Sequence, residues 1–169
     1  GKGCTARGVC GKTDEVANLQ DLMLYVLKGI SIFTSKAKEA GLKTDEADEF
    51  IVQGLFSTIT NVNFDKDYFI NKIKDGLKLR DNVKKQLIEA GVKPGADLHD
   101  AALWHGSGVE DFERKAAITG VLVTENEDIR SLRQIIIYGL KGMAAYAEHA
   151  GVLGFRSEEI YSFMQKALA

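Results

Sequence analysis

Residues 25–33 read YVLKGISIF and residues 138–146 read YGLKGMAAY, so one nine-residue pattern occurs twice. The offset, from Tyr25 to Tyr138, is 113 residues, and the same offset aligns residues on both sides of the two segments. These further pairs are Leu19 with Leu132, Ala37 with Ala150, Gly41 with Gly154, Thr44 with Ser157, Phe50 with Phe163 and Leu55 with Leu168. A repeated supersecondary unit usually buries its apolar face against the neighbouring unit. The repeat therefore predicts two helical hairpins with one plan.

The spacing of apolar residues predicts an all-α fold. The chain has one proline, Pro94, and almost no alternation of apolar and polar residues. The first repeat follows the helical i, i+3, i+4, i+7 pattern at Leu19, Leu22, Met23, Val26, Leu27, Ile30 and Phe33. Six main helices are expected at about 14–40, 45–60, 65–90, 109–120, 125–150 and 158–169, with one short helix near 97–103.

Polar residues mark the expected helix starts. Thr13 and Thr44 precede the first two helices as N-caps, and their side chains can accept from orphan backbone amides. Thr124 and Glu127 have the spacing of a capping box at the fifth helix. Gly41 is the expected stop of the first helix.

The expected organisation is a loop, two bundles and a connector. Residues 1–12 form a loop that contains the cysteines, 13–90 a first three-helix bundle, 91–108 a connector and 109–169 a second bundle. The first hairpin is followed by a third helix and the second is not, so we expect the second bundle to lack a final helix. An apolar face should then be partly uncovered near Ile136, Leu140, Ile160, Phe163 and Met164, and such a face favours association with another chain.

Two glycines occupy matching positions inside long helices, Gly29 and Gly142. A glycine within a helix costs about 1 kcal/mol relative to alanine, so a repeated one needs a cause. Close packing that would not admit a Cβ is the usual cause. We therefore predict a close approach of a neighbouring segment at both positions.

Composition excludes several classes of protein. Apolar residues make up 45%, charged residues 27% and the formal net charge is −2, which gives no general attraction to nucleic acid. No apolar run approaches the roughly 20 residues that span a bilayer, and the first residues do not resemble a signal peptide. Two cysteines are too few for a disulfide scaffold. We therefore expect a cytoplasmic protein that binds neither membrane nor nucleic acid.

The two cysteines, Cys4 and Cys10, are the candidate metal ligands. Thiolates bind zinc and iron–sulfur clusters, but both normally need four ligands, so this pair is half a site. Glycines around the pair allow backbone amides to approach sulfur, and Arg7 and Lys12 would favour thiolates. Two ordinary thiols in a loop fit the same spacing, and the residues alone leave both readings open.

The remaining ionisable residues are expected to have no catalytic role. His99, His105 and His149 show no ligand spacing with one another or with the cysteines. The basic residues of the third helix fit a solvated face, with a docking surface for an acidic electron-transfer protein as the alternative. They are Lys72, Lys74, Lys78, Arg80, Lys84 and Lys85. The chain contains no phosphate-binding loop, dinucleotide fingerprint or catalytic triad pattern.

Three long stretches resemble a known family. They are GCTARGVCGKTDEVANLQDLMLYVLKGIS at 3–31, LFSTITNVNFD at 55–65 and VLVTENEDIRSLRQIIIYGLKGMAAYAEHAGVLG at 121–154. They are similar to the N-terminal helical domain of hybrid-cluster proteins, also called prismane proteins or hydroxylamine reductases. In that family the domain consists of two three-helix bundles, and C-x2-C followed after eight residues by C-x5-C holds an iron–sulfur cluster.

The resemblance assigns Cys4 and Cys10 to the second cysteine pair. The implied cofactor is a [4Fe–4S] cluster, with [2Fe–2S] as the alternative, whose other two ligands would precede Gly1. The catalytic hybrid iron–sulfur–oxygen cluster would be bound by residues after Ala169, so no catalytic residue is assigned. The chain is thus expected to be truncated at both ends, and the cluster to be incomplete or absent.

The resemblance implies an electron-entry domain of an oxidoreductase that reduces hydroxylamine to ammonia. A redox partner protein would donate the electrons, and the isolated chain would not catalyse the reaction. One alternative is a metal-free helical scaffold or interaction module that forms a homodimer through its second bundle. Another is a metal site of four thiolates, in which each of two chains supplies Cys4 and Cys10.

Overall fold

The computed structural model describes residues 10–169 and contains six α-helices and no strand in that range. They are α1 (Asp14–Glu39), α2 (Asp45–Ser57), α3 (Lys66–Glu89), α4 (Val109–Ala116), α5 (Glu127–Val152) and α6 (Glu158–Leu168). Single 3-10 turns occur at Asp100–Ala102 and Val121–Val123. The prediction of an all-α fold with six main helices is confirmed.

Thr13 caps α1 with its side chain as expected, and the expectation for α5 was wrong. Thr13 accepts a hydrogen bond from the backbone nitrogen of Val16 at 3.3 Å. At α5 the cap is Asn126, whose side chain accepts from the nitrogen of Ile129 at 3.0 Å. Thr124 instead accepts from Arg133 Nη1 at 2.8 Å. Asparagine is as good an N-cap as threonine, and it lies directly before the first residue of the helix.

Thr44 precedes α2 as predicted, but its side chain makes no capping bond. Its hydroxyl donates to Asp48 Oδ1 at 3.1 Å. Asp48 is only 2% exposed, and it also accepts from Lys38 Nζ at 2.8 Å and from the side-chain amide of Gln165. Thr44 therefore contributes to a buried polar cluster that joins α1, α2 and α6.

The 113-residue repeat is present in the helices themselves. The helix α5 begins and ends 113 residues after α1, and α6 begins 113 residues after α2. Gly41 and Gly154, which follow the first helix of each hairpin, have φ values of +74° and +83°. Glycine adopts this left-handed conformation without the steric cost that other residues incur. Both hairpins therefore use the same turn.

The two hairpins face each other across their helices. The helix α1 packs on α6 as extensively as its copy α5 packs on α2, which is the pattern of an approximate two-fold relation. One hydrophobic core includes residues of all six helices. The chain's division into two bundles at 91–108 stays a prediction, because this core is continuous across the connector.

The helix α1 lies at the centre of the structure and α5 does not. The α1 side chains Leu22 and Phe33 are 0% exposed, whereas their copies Ile135 and Tyr146 are 68% and 83% exposed. The cause is that α3, α4 and the turn at Asp100–Ala102 all cover α1. Nothing within residues 10–169 covers α5 in the same way.

The predicted uncovered face is confirmed for three of its five residues. Ile136, Ile160 and Phe163 are 50%, 42% and 57% exposed. Leu140 and Met164 are 2% and 1% exposed, so the expectation was wrong for these two. They belong to the common core instead, because they lie on the sides of α5 and α6 that meet the first hairpin.

One helix, α1, is long and apolar enough by length and composition to cross a membrane. Two thirds of its most apolar window, 67%, is buried inside the fold. A central helix must be apolar on nearly every side, because other helices cover it all round. The apolarity of α1 is therefore accounted for by its place in the core.

Gly29 is the point where the connector meets α1. A Cβ on Gly29 would lie 2.2 Å from the carbonyl oxygen of Ala101, so no other residue fits without a shift of the backbone. Around Gly142 there is no atom within 4 Å of such a Cβ among the described residues. The predicted close approach is thus present at the first glycine and absent at the second.

The Arg80 side chain holds the connector in this position. It is 0% exposed, and its Nη1 donates to the carbonyl oxygens of Ala101 at 3.0 Å and Trp104 at 2.6 Å. Its Nη2 pairs with Asp81 Oδ1 at 2.9 Å. A buried charge is costly unless it is paired and hydrogen-bonded, and this guanidinium is both. The connector is therefore fixed against α1 and α3.

The glycine pair provides a matched test of the packing. We expect Gly29→Ala to lower the free energy of unfolding by about 2 kcal/mol or more, because the new methyl group meets the Ala101 carbonyl. We expect Gly142→Ala to raise it by about 0.5–1 kcal/mol, because alanine is the better helix former in open space. Urea denaturation followed by circular dichroism measures both. Equal effects of the two substitutions would contradict the packing described here.

Candidate functional site

Cys10 is an exposed, free cysteine at the start of the described chain. Gly11 follows it with a φ of +89°, and α1 begins three residues later. Cys4 lies outside the described residues, so the pairing of Cys4 with Cys10 stays a prediction. The exposed thiol of Cys10 is available to a metal or to another sulfur.

A chain of hydrogen bonds holds the segment after Cys10 against the helices. Lys12 Nζ donates to Gln20 Oε1 at 2.7 Å, and Gln20 Nε2 donates to the carbonyl oxygen of Asn63 at 3.0 Å. Lys12 also lies over the Phe64 ring, 5.5 Å from its centroid. The cysteine segment is thereby fixed where the first turn of α1 meets the loop between α2 and α3.

Sequence reasoning missed the role of Gln20. This residue is 5% exposed and lies on α1 next to the core residue Leu19. A polar side chain that interrupts a nearly continuous apolar stripe is a signal for a buried hydrogen bond. Here that bond, with the bond from Lys12 to Gln20, ties the cysteine segment to the α2–α3 loop.

A partly buried lysine of α5 approaches the same region. Lys141 Nζ donates to the carbonyl oxygen of Thr58 at 3.0 Å. Burial lowers the pKa of Lys141 from 10.5 to about 8, although the nearby Asp21 carboxylate acts in the opposite direction. Burial likewise raises the pKa of Asp21, and the positive charge of Lys141 opposes that shift. Lys141 on α5 and Asp21 on α1 thus influence each other electrostatically across the two hairpins.

None of the three histidines lies in a ligand set with Cys10. The His99 ring nitrogen Nδ1 accepts from the backbone nitrogen of Ala101 at 3.0 Å. His105 lies 3.3 Å from Arg80 Nη2, and His149 Nδ1 lies 2.6 Å from the Ala145 carbonyl oxygen. The histidines therefore have local structural contacts, as the sequence suggested.

The basic residues of α3 do not all belong to one solvated face. Arg80 was counted among them, and the structure buries it completely. Lys72 lies over the Phe50 ring at 4.2 Å and Lys84 over the Phe33 ring at 5.8 Å. Lys78, at 76% exposed, is a solvated member of the set. A docking role for this helix stays a prediction.

Three carboxylates lie close together at the hairpin interface, where a lysine pairs with two of them. The oxygens of Asp45, Asp48 and Glu158 lie within 4.8 Å of one another. Lys38 Nζ bridges two of them, at 2.8 Å from Asp48 and 2.7 Å from Glu158. The ammonium group supplies the positive charge that such a cluster needs, and the cluster is accounted for as an ion-pair network.

Comparison with known proteins gives a consistent result over the whole chain. Residues 1–169 match the sequence profile of the Prismane/CO dehydrogenase family. A hydroxylamine reductase of Clostridium novyi (strain NT) is 59% identical over 167 residues, which are 99% of this chain and 30% of the relative. A hydroxylamine reductase of Desulfitobacterium hafniense (strain Y51) is 55% identical over 169 residues, 100% of this chain and 31% of the relative. The chain thus spans about a third of the length of the curated relatives it matches.

The depressed pKa of Lys141 makes stability depend on pH. The unfolded chain retains this proton up to about pH 10.5, whereas the folded chain releases it near pH 8. The unfolded state binds more protons between these values, so the free energy of unfolding should rise with pH across that window. We expect a rise of ~1–3 kcal/mol in the native chain relative to Lys141→Met.

Urea denaturation at several pH values from 7.5 to 10.5 measures this difference; the upper limit is the ordinary lysine pKa. Lys85→Met is the control, because Lys85 is 74% exposed and this variant retains Lys141, so its stability should rise with pH as that of the native chain does. If the native chain and Lys141→Met show the same pH dependence, Lys141 is not buried as a charged group.

Proposed function

This chain belongs to the Prismane/CO dehydrogenase family, and from that premise we propose that it is the N-terminal iron–sulfur domain of a hydroxylamine reductase. Its role would be to accept electrons from a redox protein and pass them to a catalytic centre held by other parts of the polypeptide. The observation that carries the proposal is 55–59% identity, over essentially the whole chain, to relatives of that name. No catalytic group is assigned to the chain itself.

Cysteine thiolates are the ligands that an iron–sulfur cluster takes, and the chain supplies two of the four that it needs. Cys4 and Cys10 are the two cysteines of the sequence, and the thiol of Cys10 is free and exposed. Clusters of the [4Fe–4S] or [2Fe–2S] type are held by four thiolates. Cys4 and Cys10 would hold one side of the cluster, and two further ligands must come from outside these 169 residues. When bound, such a cluster accepts and releases single electrons.

The remaining residues position the ligand segment. The Lys12–Gln20–Asn63 chain holds the residues after Cys10 on the helical scaffold. Lys12 and Lys141 place positive charge on this side of the structure, and positive charge favours the anionic thiolate cluster. The exposure of Cys10 would bring a cluster close to the surface, where an electron donor can reach it. Free thiols in this role are consistent with a reducing, cytoplasmic location.

A chimaera tests the proposal directly. The matching third of the Clostridium novyi relative is replaced by this chain, and the protein is prepared without oxygen. We expect the chimaera to reduce hydroxylamine, and Cys10→Ser or Cys4→Ser to remove the iron of one cluster with its visible absorption. The reason is that each serine removes one of the thiolates that hold the cluster.

Two controls separate loss of the cluster from loss of the fold. Circular dichroism should show unchanged helix content in the serine variants, and iron bound elsewhere in the chimaera should remain. Ser107→Ala, an exposed substitution in the connector, should leave iron content unchanged. Full iron content and full activity in Cys10→Ser would refute the proposed ligand role.

A second candidate function is self-association through an uncovered helix face. Five apolar residues lie on one side of α5 and form what we call the α5 face: Ile129, Leu132, Ile135, Ile136 and Tyr146. They are 47–83% exposed, whereas the corresponding α1 residues are buried. An exposed apolar patch of this kind favours burial against another protein surface. The partner proposed here is a second copy of this chain.

Light scattering over a range of concentrations tests this candidate. We expect a concentration-dependent dimer, which the double substitution Leu132→Glu with Ile135→Glu should abolish because charge on the α5 face opposes its burial. Ile88→Glu is the control, since Ile88 is 53% exposed on another helix. A monomer at every concentration would exclude self-association through the α5 face.

A further inference from the structure

A cavity of about 300 Å³ lies between α1, α5 and the connector. We call it the Lys28 pocket. Its polar lining includes Lys28, His99, Arg130 and Arg133, and one wall is apolar. Neither Cys10 nor the hydrogen-bond chain of Lys12, Gln20 and Asn63 lines the pocket, so this inference does not rest on the proposed iron–sulfur site.

Positive charge in the Lys28 pocket exceeds negative charge. Three cationic side chains line it, and Asp21 is the one carboxylate among the lining residues. Within residues 10–169, Lys28, Arg130 and Arg133 form no ion pair with a carboxylate. Residues 1–9 contain no aspartate or glutamate that could supply one. The excess charge is therefore not neutralised by the side chains of this chain.

The internal repeat supplies a comparison for this charge. At the 113-residue offset Lys28 corresponds to Lys141, and Gln134 corresponds to Asp21. Lys141 interacts with the Asp21 carboxylate, whereas Lys28 has the uncharged Gln134 and the positive Arg133 in its pocket. Burial and the charge of Arg133 both lower the pKa of Lys28. Lys141 thus has an opposite charge nearby, whereas the half-buried Lys28 has a like charge nearby.

The His99 side chain adds a hydrogen-bond donor to the pocket. Its Nδ1 accepts from the backbone nitrogen of Ala101 at 3.0 Å, so the proton of the neutral ring is on Nε2. Nε2–H is then available to donate. The two arginines already donate to Thr124, Arg130 to its carbonyl oxygen at 3.1 Å and Arg133 to its hydroxyl at 2.8 Å. Their guanidinium groups retain further donors.

We propose that the Lys28 pocket binds an oxyanion group, a carboxylate or a phosphate, between Lys28, Arg133 and His99. Oxyanions accept hydrogen bonds, and their negative charge balances the positive charge of the pocket. Arginine binds both carboxylates and phosphates in a bidentate geometry. The group is supplied either by a free small molecule or by an acidic side chain from a part of the longer polypeptide outside these 169 residues. Both sources share the same chemistry.

Titration of the 169-residue chain with inorganic phosphate at constant ionic strength tests the proposal. Binding is followed by the backbone NMR signals of Lys28, His99 and Arg133. We expect saturable shifts confined to the pocket, and at least ~10-fold weaker binding in Lys28→Gln and in Arg133→Gln. Gln134→Asp introduces the carboxylate of the other repeat and should abolish binding.

Two variants serve as controls. Lys78→Gln removes the same charge from a side chain that is 76% exposed on another helix, and should bind phosphate as the native chain does. Lys28→Arg retains the charge and should retain binding, which shows that a loss in Lys28→Gln is not a folding defect. Absence of saturable binding to the native chain, or equal binding by Lys28→Gln, would overturn the proposal.

The same titration on the chimaera with the Clostridium novyi relative distinguishes the two sources. Phosphate binding that persists in the chimaera identifies a site for a free anion. Binding that is present in the 169-residue chain and lost in the chimaera identifies an acidic side chain of the longer polypeptide as the occupant. This readout does not depend on iron content or on hydroxylamine reduction, so it stands or fails separately from the proposed function.

Discussion

The guanidinium group of Arg80 is the interaction on which the arrangement of the two hairpins depends. It is buried completely on α3, and it holds two carbonyl oxygens of the connector. One of these carbonyls belongs to Ala101, which reaches α1 only because residue 29 is glycine. The connector leads into α4 and the second hairpin, so its position on α1 sets where those elements begin. Since a buried charge without partners is costly, Arg80 strongly favours this one path of the chain.

The second hairpin has the same plan as the first, but its long helix α5 lacks the elements that cover α1 among the described residues. Each apolar position of the α5 face corresponds to a buried residue of α1, the helix that α3, α4 and the connector cover. The cysteine pair is similar in one respect, because it supplies two thiolates where a cluster needs four. Both features suit a unit that works within a larger protein, which agrees with relatives about three times as long.

Local sequence was sufficient to predict the six helices. The burial of Arg80, the cap of α5 and the Lys28 pocket depend on tertiary contacts and could not be predicted from it. Apolar spacing and glycine stops placed all six helices, and the repeat identified Gly29 as a packing residue. Arg80 could not be told apart from the exposed lysines around it, because its burial depends on the path of the distant connector. Thr124 was predicted as the N-cap of α5, and the backbone places Asn126 there instead. The ligand role proposed for Cys10 came from family resemblance, whereas the Lys28 pocket forms only when both hairpins are in place.

We propose that the second hairpin of this helical domain is completed by a larger protein. Hydrogen exchange, measured on the 169-residue chain and on the chimaera with the Clostridium novyi relative, tests it most directly. The account predicts that the α5 amides exchange at least ~10-fold more slowly in the chimaera, while the α1 amides change little because α1 is already covered. Equal exchange of α5 in both proteins would contradict the account, because it would mean that the larger protein contributes nothing to this helix.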